Sequence, residues 1–154
     1  MKQTIFDDFS QGFQQMSNSI YSIQLNLLKQ YDLTPEQFNI LNLIGHHKIS
    51  TSSKIAQLTN VKKSSVTSII NKLVDKGNLT RSTSDKDRRT IYLNLTNQGE
   101  LKLNQARQTL ITEVSPALES LSDNQLKELF NSLNSINNNM QNIKENIISN
   151  EKDN

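Results

Sequence analysis

The chain has 154 residues and no cysteine, and its 17 Lys and Arg against 15 Asp and Glu give a formal net charge of +2. The lack of cysteine excludes disulfides, thiolate metal sites and thiol-based redox sensing. No apolar run approaches the ~18 residues of a membrane span and the N-terminus lacks the apolar core of a signal peptide, so we expect a single-domain, cytoplasmic protein without a membrane partner.

An apolar stripe runs through the N-terminal segment. Seven apolar residues recur there at alternating steps of three and four: Phe6, Phe9, Phe13, Met16, Ile20, Ile23 and Leu27. This heptad-type spacing is typical of a long helix that packs against another helix. A second helix is predicted after it, because Thr34 and Gln37 have the spacing of a capping box, with Pro35 at the first helical position.

The next segment predicts a helix-turn-helix. Hydroxyl residues at positions 50–53 can cap a short helix that ends near Leu58, and Asn60 tolerates the left-handed conformation that the following turn requires. Positions 62–76 then carry apolar residues at helical spacing, and Gly77 is suited to end that helix. Three small or branched apolar residues are predicted to lie where the two helices cross: Ala56, Val61 and Val66. Of these, Val61 is expected to be buried.

The outward face of the 62–76 helix has the composition of a DNA-reading surface. Short hydroxyls let a helix enter the major groove, where Ser, Thr and Asn bind base edges and Lys meets phosphate or guanine. The candidate DNA-binding residues on this helix are Lys62, Lys63, Ser64, Ser65, Thr67, Ser68, Asn71 and Lys72. The alternative is an ordinary polar surface helix, which rarely carries so many small hydroxyls and so few carboxylates on one face.

A charged run lies between two strand-like segments. Residues 79–83 and 90–95 favour strands, so the Asp-Lys-Asp-Arg-Arg run at 85–89 is predicted to form the tip of a β-hairpin. A helix-turn-helix followed by a basic hairpin is typical of a winged-helix DNA-binding unit. The candidate DNA-binding residues of the tip are Lys86, Asp87, Arg88 and Arg89. The alternative, a tip that is merely solvated, is disfavoured by the helices upstream.

The charge distribution is uneven. Residues 47–90 carry ten Lys and Arg against three Asp, whereas the remainder carries seven Lys and Arg against twelve acids. Such asymmetry indicates a basic face for phosphate on an acidic body. Double-stranded DNA is therefore the predicted partner.

The C-terminal third predicts two further helices. Thr96 can cap a helix that Pro116 kinks or ends, and Ser122 and Gln125 have the spacing of a capping box before the last helix. A second heptad-type stripe runs along that helix: Leu126, Leu129, Leu133, Ile136, Met140, Ile143 and Ile147. Neither terminal stripe can be buried alone, so we expect a homodimer of intertwined helices that presents two recognition helices to a palindromic site. The alternative is a helical hairpin within a monomer.

Together these segments resemble the MarR family of bacterial transcriptional regulators over nearly the whole chain. The most specific pieces are the run at 85–89 and the Leu-Thr-x-x-Gly run that ends at Gly99. The resemblance implies a mainly α fold with a small β-hairpin wing, in which residues 34–96 form the winged helix-turn-helix and residues 1–33 and 97–154 the dimerisation region. It also implies a sequence-specific regulator of transcription, with repression as the expected sign.

The resemblance assigns roles to the wing. In the family, the arginine that matches Arg89 enters the minor groove and the aspartate that matches Asp87 orients it, which leaves Arg88 for phosphate. An Asp two residues before an Arg on a tight hairpin can hold the guanidinium, and narrow A·T-rich minor grooves attract arginine.

The resemblance further implies a pocket between the DNA-binding lobe and the dimer helices, where a small aromatic or anionic effector weakens DNA binding. The candidate lining residues are Phe13, Tyr21, Phe38 and His46. Aromatic residues at helical spacing are more often core, and that alternative stays open for each of them. Family members that sense oxidants use a cysteine near the N-terminal helix, and this chain has none.

No enzyme, cofactor or metal site is expected. The two histidines, His46 and His47, are adjacent and point to different faces of a helix, and no glycine-rich phosphate loop or Ser/His/Asp group is present. The alternative function is a winged-helix module for protein contact, or an anti-repressor that does not bind DNA directly.

Overall fold

Helices dominate the structure and flank one two-stranded hairpin. The computed structural model describes residues 2–46, 51–59, 61–83 and 90–150. In chain order the elements are α1 (Lys2–Leu27), a 3₁₀ helix (Leu28–Tyr31), α2 (Pro35–Gly45), α3 (Ser52–Thr59), α4 (Lys63–Asp75), β1 (Leu79–Thr83), β2 (Ile91–Leu95), α5 (Asn97–Val114), a second 3₁₀ helix (Ser115–Leu118) and α6 (Asp123–Asn150). The predicted fold class, long helices flanking a winged helix-turn-helix, is confirmed.

Side-chain caps fix the starts of the helices where the sequence predicts them. Thr34 Oγ1 accepts a hydrogen bond from the Gln37 N–H at 3.2 Å, and Gln37 Oε1 accepts one from the Thr34 N–H at 3.1 Å, which completes the capping box of α2. Ser122 and Gln125 form the same reciprocal pair at α6, at 2.9 and 3.4 Å. At α3 the cap is Thr51, whose hydroxyl accepts from the Lys54 N–H at 3.4 Å.

One hydrophobic core lies in the first of two compact units, which comprises residues 1–111. It combines the first 3₁₀ helix, α2, α3, α4, both strands and the first ten residues of α5. Its buried apolar side chains are Leu28, Leu33, Ile40, Leu41, Ile44, Ile55, Val66, Ile70, Leu73, Leu79, Leu93, Leu103 and Ala106. The helix-turn-helix and the hairpin therefore share one core, which holds α4 in a fixed position on the hairpin.

The prediction that Val61 is buried is wrong. Its side chain is 38% exposed, whereas Ile55 and Val66 are 0% and 1% exposed. These two residues, with Ala56 packed against the core, fill the space where α3 and α4 cross. Val61 precedes the N-cap of α4 and lies outside that crossing.

A tight junction joins the end of α4, the start of β1 and the start of α5. Gly77 has φ = +70°, and the N–H groups of Gly77 and Asn78 donate to the Val74 and Leu73 carbonyls at 2.9 Å, as in a Schellman motif. The Thr96 hydroxyl donates to the Gly77 carbonyl at 2.6 Å and accepts from the Gly99 N–H at 2.9 Å, so Thr96 caps α5 as predicted.

The second compact unit comprises residues 112–154. Val114 ends α5 and Pro116 lies in the following 3₁₀ helix, which confirms that the proline ends the helix. No described residue of α6 is buried. Five of its stripe residues, Leu129, Leu133, Met140, Ile143 and Ile147, are 41–55% exposed.

The stripe of α1 is exposed as well. Six of its seven residues, from Phe6 to Ile23, are 38–61% exposed. Both predicted stripes are therefore present on helices, and both face solvent in the single chain. None of the described helices is long and apolar enough to cross a membrane.

Candidate nucleic-acid interface

The helix α4 has one buried and one exposed face. Val66, Ile70 and Leu73 lie in the core, at steps of four and three, with Ile69 and Val74 partly buried beside them. The opposite face is formed by the residues predicted to bind DNA, and all eight are exposed: Lys62, Lys63, Ser64, Ser65, Thr67, Ser68, Asn71 and Lys72. The core contacts of α4 thus fix which side chains point to solvent.

The N-terminus of α4 is cationic and lacks a side-chain cap. Lys62 is the N-cap residue, its side chain makes no capping hydrogen bond, and the first turn contains no acid. The first N–H groups of a helix carry partial positive charge, which normally attracts Asp, Glu or a hydroxyl cap. Two lysines at this position disfavour the isolated helix by roughly 0.3–1 kcal/mol each and favour an external anion.

The hydroxyls on the exposed face differ in what they can offer. Thr67 Oγ1 donates to the Lys63 carbonyl one turn earlier at 2.8 Å. Its proton is used within the helix, so toward a ligand this oxygen is an acceptor. Ser64, Ser65 and Ser68 are exposed on the same face.

The hairpin has the predicted strands, paired antiparallel. The register places Arg81 opposite Leu93 and Ser82 opposite Tyr92, and the Asn94 side chain donates to Ser82 Oγ at 2.9 Å. The tip residues Lys86, Asp87, Arg88 and Arg89 lie outside the described residues, as do His47 and Asn60. Their predicted roles stay predictions.

One contact between α4 and the hairpin was missed by sequence reasoning. A terminal guanidinium nitrogen of Arg81 donates to Asn71 Oδ1. Both side chains are exposed, Asn71 on the predicted DNA-binding face and Arg81 on β1. The only signal in the sequence is an arginine within a short strand, which does not indicate its partner.

An ion pair anchors the end of α4 to the segment between α1 and α2. Lys76 Nζ lies 2.9 Å from Asp32 Oδ2 and donates to the Asp32 carbonyl at 3.0 Å. Asp32 adopts φ = +51°. The hydrogen bond and charge of Lys76, with a smaller contribution from Lys102, hold the pKa of Asp32 below its ordinary value.

The four candidate ligand-binding residues do not share one site. Tyr21 and Phe38 line a cavity of about 470 Å³ with Glu36, whereas His46 lines another of about 390 Å³. Phe13 stacks on Phe9 along α1 with ring centroids 6.2 Å apart, and it is exposed.

The Tyr21 cavity contains a defined polar pair. The Tyr21 hydroxyl donates to Glu36 Oε1 at 2.9 Å, and this hydrogen bond with the charge of Glu36 raises the pKa of Tyr21. Across the described ranges, no cluster of three or more His, Asp or Glu side chains is arranged to hold a metal ion.

Comparison with known proteins gives a match to one family model and several structures with the same fold. The sequence matches the model of the MarR family over residues 33–91. The HTH-type transcriptional repressor MdtR of Bacillus subtilis (strain 168) is 31% identical over 98 residues, which are 64% of this chain and 63% of MdtR. The chain thus spans less than two thirds of that relative's length.

Two solved structures share the fold over nearly the whole chain. A MarR family protein from Bacillus stearothermophilus has a TM-score of 0.79 at 16% identity, covering 92% of this chain and 99% of that one. FabT of Streptococcus pneumoniae, in complex with DNA, has a TM-score of 0.74 at 21% identity, covering 90% and 99%. At these identities the likeness shows the fold.

Proposed function

Because the chain matches the MarR family model over residues 33–91, we propose that it is a member of that family and a sequence-specific DNA-binding regulator of transcription that binds a palindromic operator as a homodimer. Members of this family are transcriptional regulators and not enzymes. The observation that carries the proposal is the exposed face of α4, where lysines surround an uncapped helix N-terminus and short hydroxyls follow.

The start of α4 supports phosphate binding. Lys62 and Lys63 add full positive charges to the partial charge of the helix N-terminus, and no acid in the first turn neutralises them. A DNA phosphate placed here accepts hydrogen bonds from the backbone N–H groups and forms ion pairs with both lysines. Such contacts position the protein on any duplex and release counterions.

The hydroxyls of the next turns support base reading. Ser65, Thr67 and Ser68 are short and exposed, so they let α4 approach the floor of the major groove. Thr67 is an acceptor there because its proton is bonded within the helix. It therefore suits a base donor, such as the amino group of adenine or cytosine.

The wing supplies a second set of contacts under this proposal. Arg89 enters the minor groove beside the site, Asp87 orients it, and Lys86 and Arg88 bind phosphate. Residues 34–96 then act as the DNA-binding region, and residues 1–33 and 97–154 act in dimerisation.

The exposed stripes support the homodimer. Full burial of such a side chain contributes about 1.5–3 kcal/mol, and most stripe residues of α1 and α6 are still about half exposed, so roughly half of that is available for each of them in an interface. A second copy offers the same two stripes, so a two-fold assembly covers them and places two α4 helices on one face.

Repression is the proposed sign of regulation, and a small molecule is the proposed release signal. The cavities beside Tyr21 and His46 are the candidate sites, each with one carboxylate in its lining, Glu36 or Glu100. A carboxylate disfavours an anion, so a neutral aromatic effector fits these cavities better than the anionic one.

Selection of bound fragments from the source genome tests the proposed function. Palindromic sites are expected, and log affinity for a recovered duplex should fall with log salt by about 0.9 per phosphate contact. A winged-helix module for protein contact would instead show little duplex affinity at any salt, and that outcome would overturn the proposal.

A further inference from the structure

Arg81 lies on the face of the hairpin that is directed toward the core and α4. Directly opposed residues of an antiparallel pair share a face, and Arg81 stands opposite Leu93, which is 1% exposed. Leu79, two residues earlier on the same face, is buried as well. Arg81 itself is exposed, and its guanidinium reaches from β1 to α4; we call the solvent-exposed space between these two elements the cleft.

Asn71 holds the guanidinium in that cleft. Its Oδ1 accepts the hydrogen bond from Arg81 across the gap between the two elements. An Arg side chain has five donors, so most remain after one bond to Asn71. A neutral amide oxygen, unlike a carboxylate, fixes the guanidinium without neutralising its charge.

The cleft lies at a suitable distance from the base-reading turn. Asn71 follows Lys63 by eight residues in α4, which is about 12 Å along a helix axis. Half the width of the major groove is only about 6 Å. When the first turn of α4 reaches base edges, as in helix-turn-helix proteins, the Asn71 region lies at the phosphate edge of the groove.

We propose that Arg81 is a DNA-contacting residue that binds a backbone phosphate in the cleft between α4 and β1, and that Asn71 is the positioning residue that holds it. The phosphate role rests on the proposed function, since it requires a duplex on α4. Under this proposal Asn71 orients Arg81 and does not read a base.

The test is fluorescence anisotropy with two labelled duplexes, one carrying a site from the genomic selection and one of unrelated sequence and equal length. Arg81→Ala should weaken both by the same factor, roughly tenfold, and lower the salt slope by about one. Arg81→Gln keeps a hydrogen-bonding head group without the charge and should lower the salt slope by the same amount. This variant serves as a second test if alanine disturbs the hairpin. Arg107→Ala removes an exposed arginine of α5, which lies outside the α1 and α6 stripes that form the proposed dimer, and should change neither quantity.

Variants of Asn71 separate positioning from reading. Asn71→Asp keeps the contact but neutralises Arg81, so it should weaken both duplexes equally, and Asn71→Ala should add little in the Arg81→Ala background. The proposal is overturned if Arg81→Ala keeps wild-type affinity and slope. It is also overturned if Asn71→Ala, in the Arg81→Ala background, changes the ratio between the duplexes. A wild-type protein that binds neither duplex would instead refute the proposed function itself.

Discussion

The backbone carbonyl of Asn78 leaves no room for a side chain at position 99. A Cβ added to Gly99 would collide with that carbonyl, and backbone atoms cannot move aside as a flexible side chain can. Asn78 is fully buried, and its side-chain amide finds no hydrogen-bond partner within the described residues. The junction of α4, β1 and α5 therefore requires a residue without a Cβ atom at position 99.

Gly99→Ala should destabilise the protein by about 1–3 kcal/mol, the usual cost of overpacking. The sign is informative, because Gly99 lies in a helix, where alanine is otherwise preferred by about 0.5–1 kcal/mol. Gly12→Ala is the matched control, since Gly12 lies in α1 with open space around it, and it should stabilise. Urea denaturation of the wild type, Gly99→Ala and Gly12→Ala proteins measures the three midpoints. A midpoint for Gly99→Ala at or above that of the wild type would contradict the close contact.

The Lys76–Asp32 pair predicts a pH-dependent contribution to stability. The pKa of Asp32 is lowered in the folded state from an ordinary value of 3.8. Its contribution is therefore fully present above that value and is lost as pH falls through the folded pKa. Asp32→Asn, which tolerates the left-handed backbone, should lower the urea midpoint near neutral pH, and the difference from wild type should shrink toward pH 3. A difference that persists unchanged at low pH would show that charge is not its cause.

Among the elements, those with local signals were predictable from the sequence. The capping boxes at Thr34 and Ser122, and the glycine at position 77, depend on residues three or four apart, so the chain encodes them directly. The exposed face of α4 followed from its apolar spacing. The exposure of Val61 and the contact of Arg81 with Asn71 depend on how two elements pack, and no local pattern reports that.

Variants of α4 should separate residues that position the protein on DNA from residues that read bases. Lys62→Ala or Lys63→Ala should weaken selected and unrelated DNA alike and lower the salt slope by about one. Each should also stabilise the fold slightly, because it removes a cation from the positive end of a helix dipole. Ser65→Ala or Ser68→Ala should instead change the preference among sequences. If both groups alter specificity equally in competition assays, the helix is rotated from the proposed orientation.

The wing carries a prediction whose sign discriminates between two mechanisms. Arg89→Ala should weaken operator binding by roughly 1–3 kcal/mol, the size of one specific contact. Asp87→Ala should also weaken it, although it removes a negative charge that repels DNA, because Arg89 loses its partner. Anisotropy at fixed salt measures both variants, with circular dichroism as the folding control. An Asp87→Ala protein that binds as well as wild type, or better, would show that the tip is only a basic patch.

For the whole molecule, the unburied stripes of α1 and α6 determine the expected assembly. Each compact unit leaves most residues of its own stripe, α1 in the first unit and α6 in the second, 38–61% exposed. The protein should therefore sediment as a dimer at micromolar concentration. Removal of residues 125–154, which deletes nearly all of α6, should give a monomeric or poorly folded product.

A single charge on the stripe gives a sharper test than truncation. Ile20→Glu places a carboxylate on the stripe of α1 and should shift the protein to monomer, because an unpaired charge in an apolar interface is costly. Gln11→Glu adds the same charge on the opposite side of the helix, about 180° from Ile20 at 100° per residue, and should leave the dimer intact. Operator affinity should fall steeply only for Ile20→Glu, since one protomer contacts one half-site. A stably folded wild type that remains monomeric at high concentration would exclude the intertwined dimer and, with it, palindromic recognition by two copies.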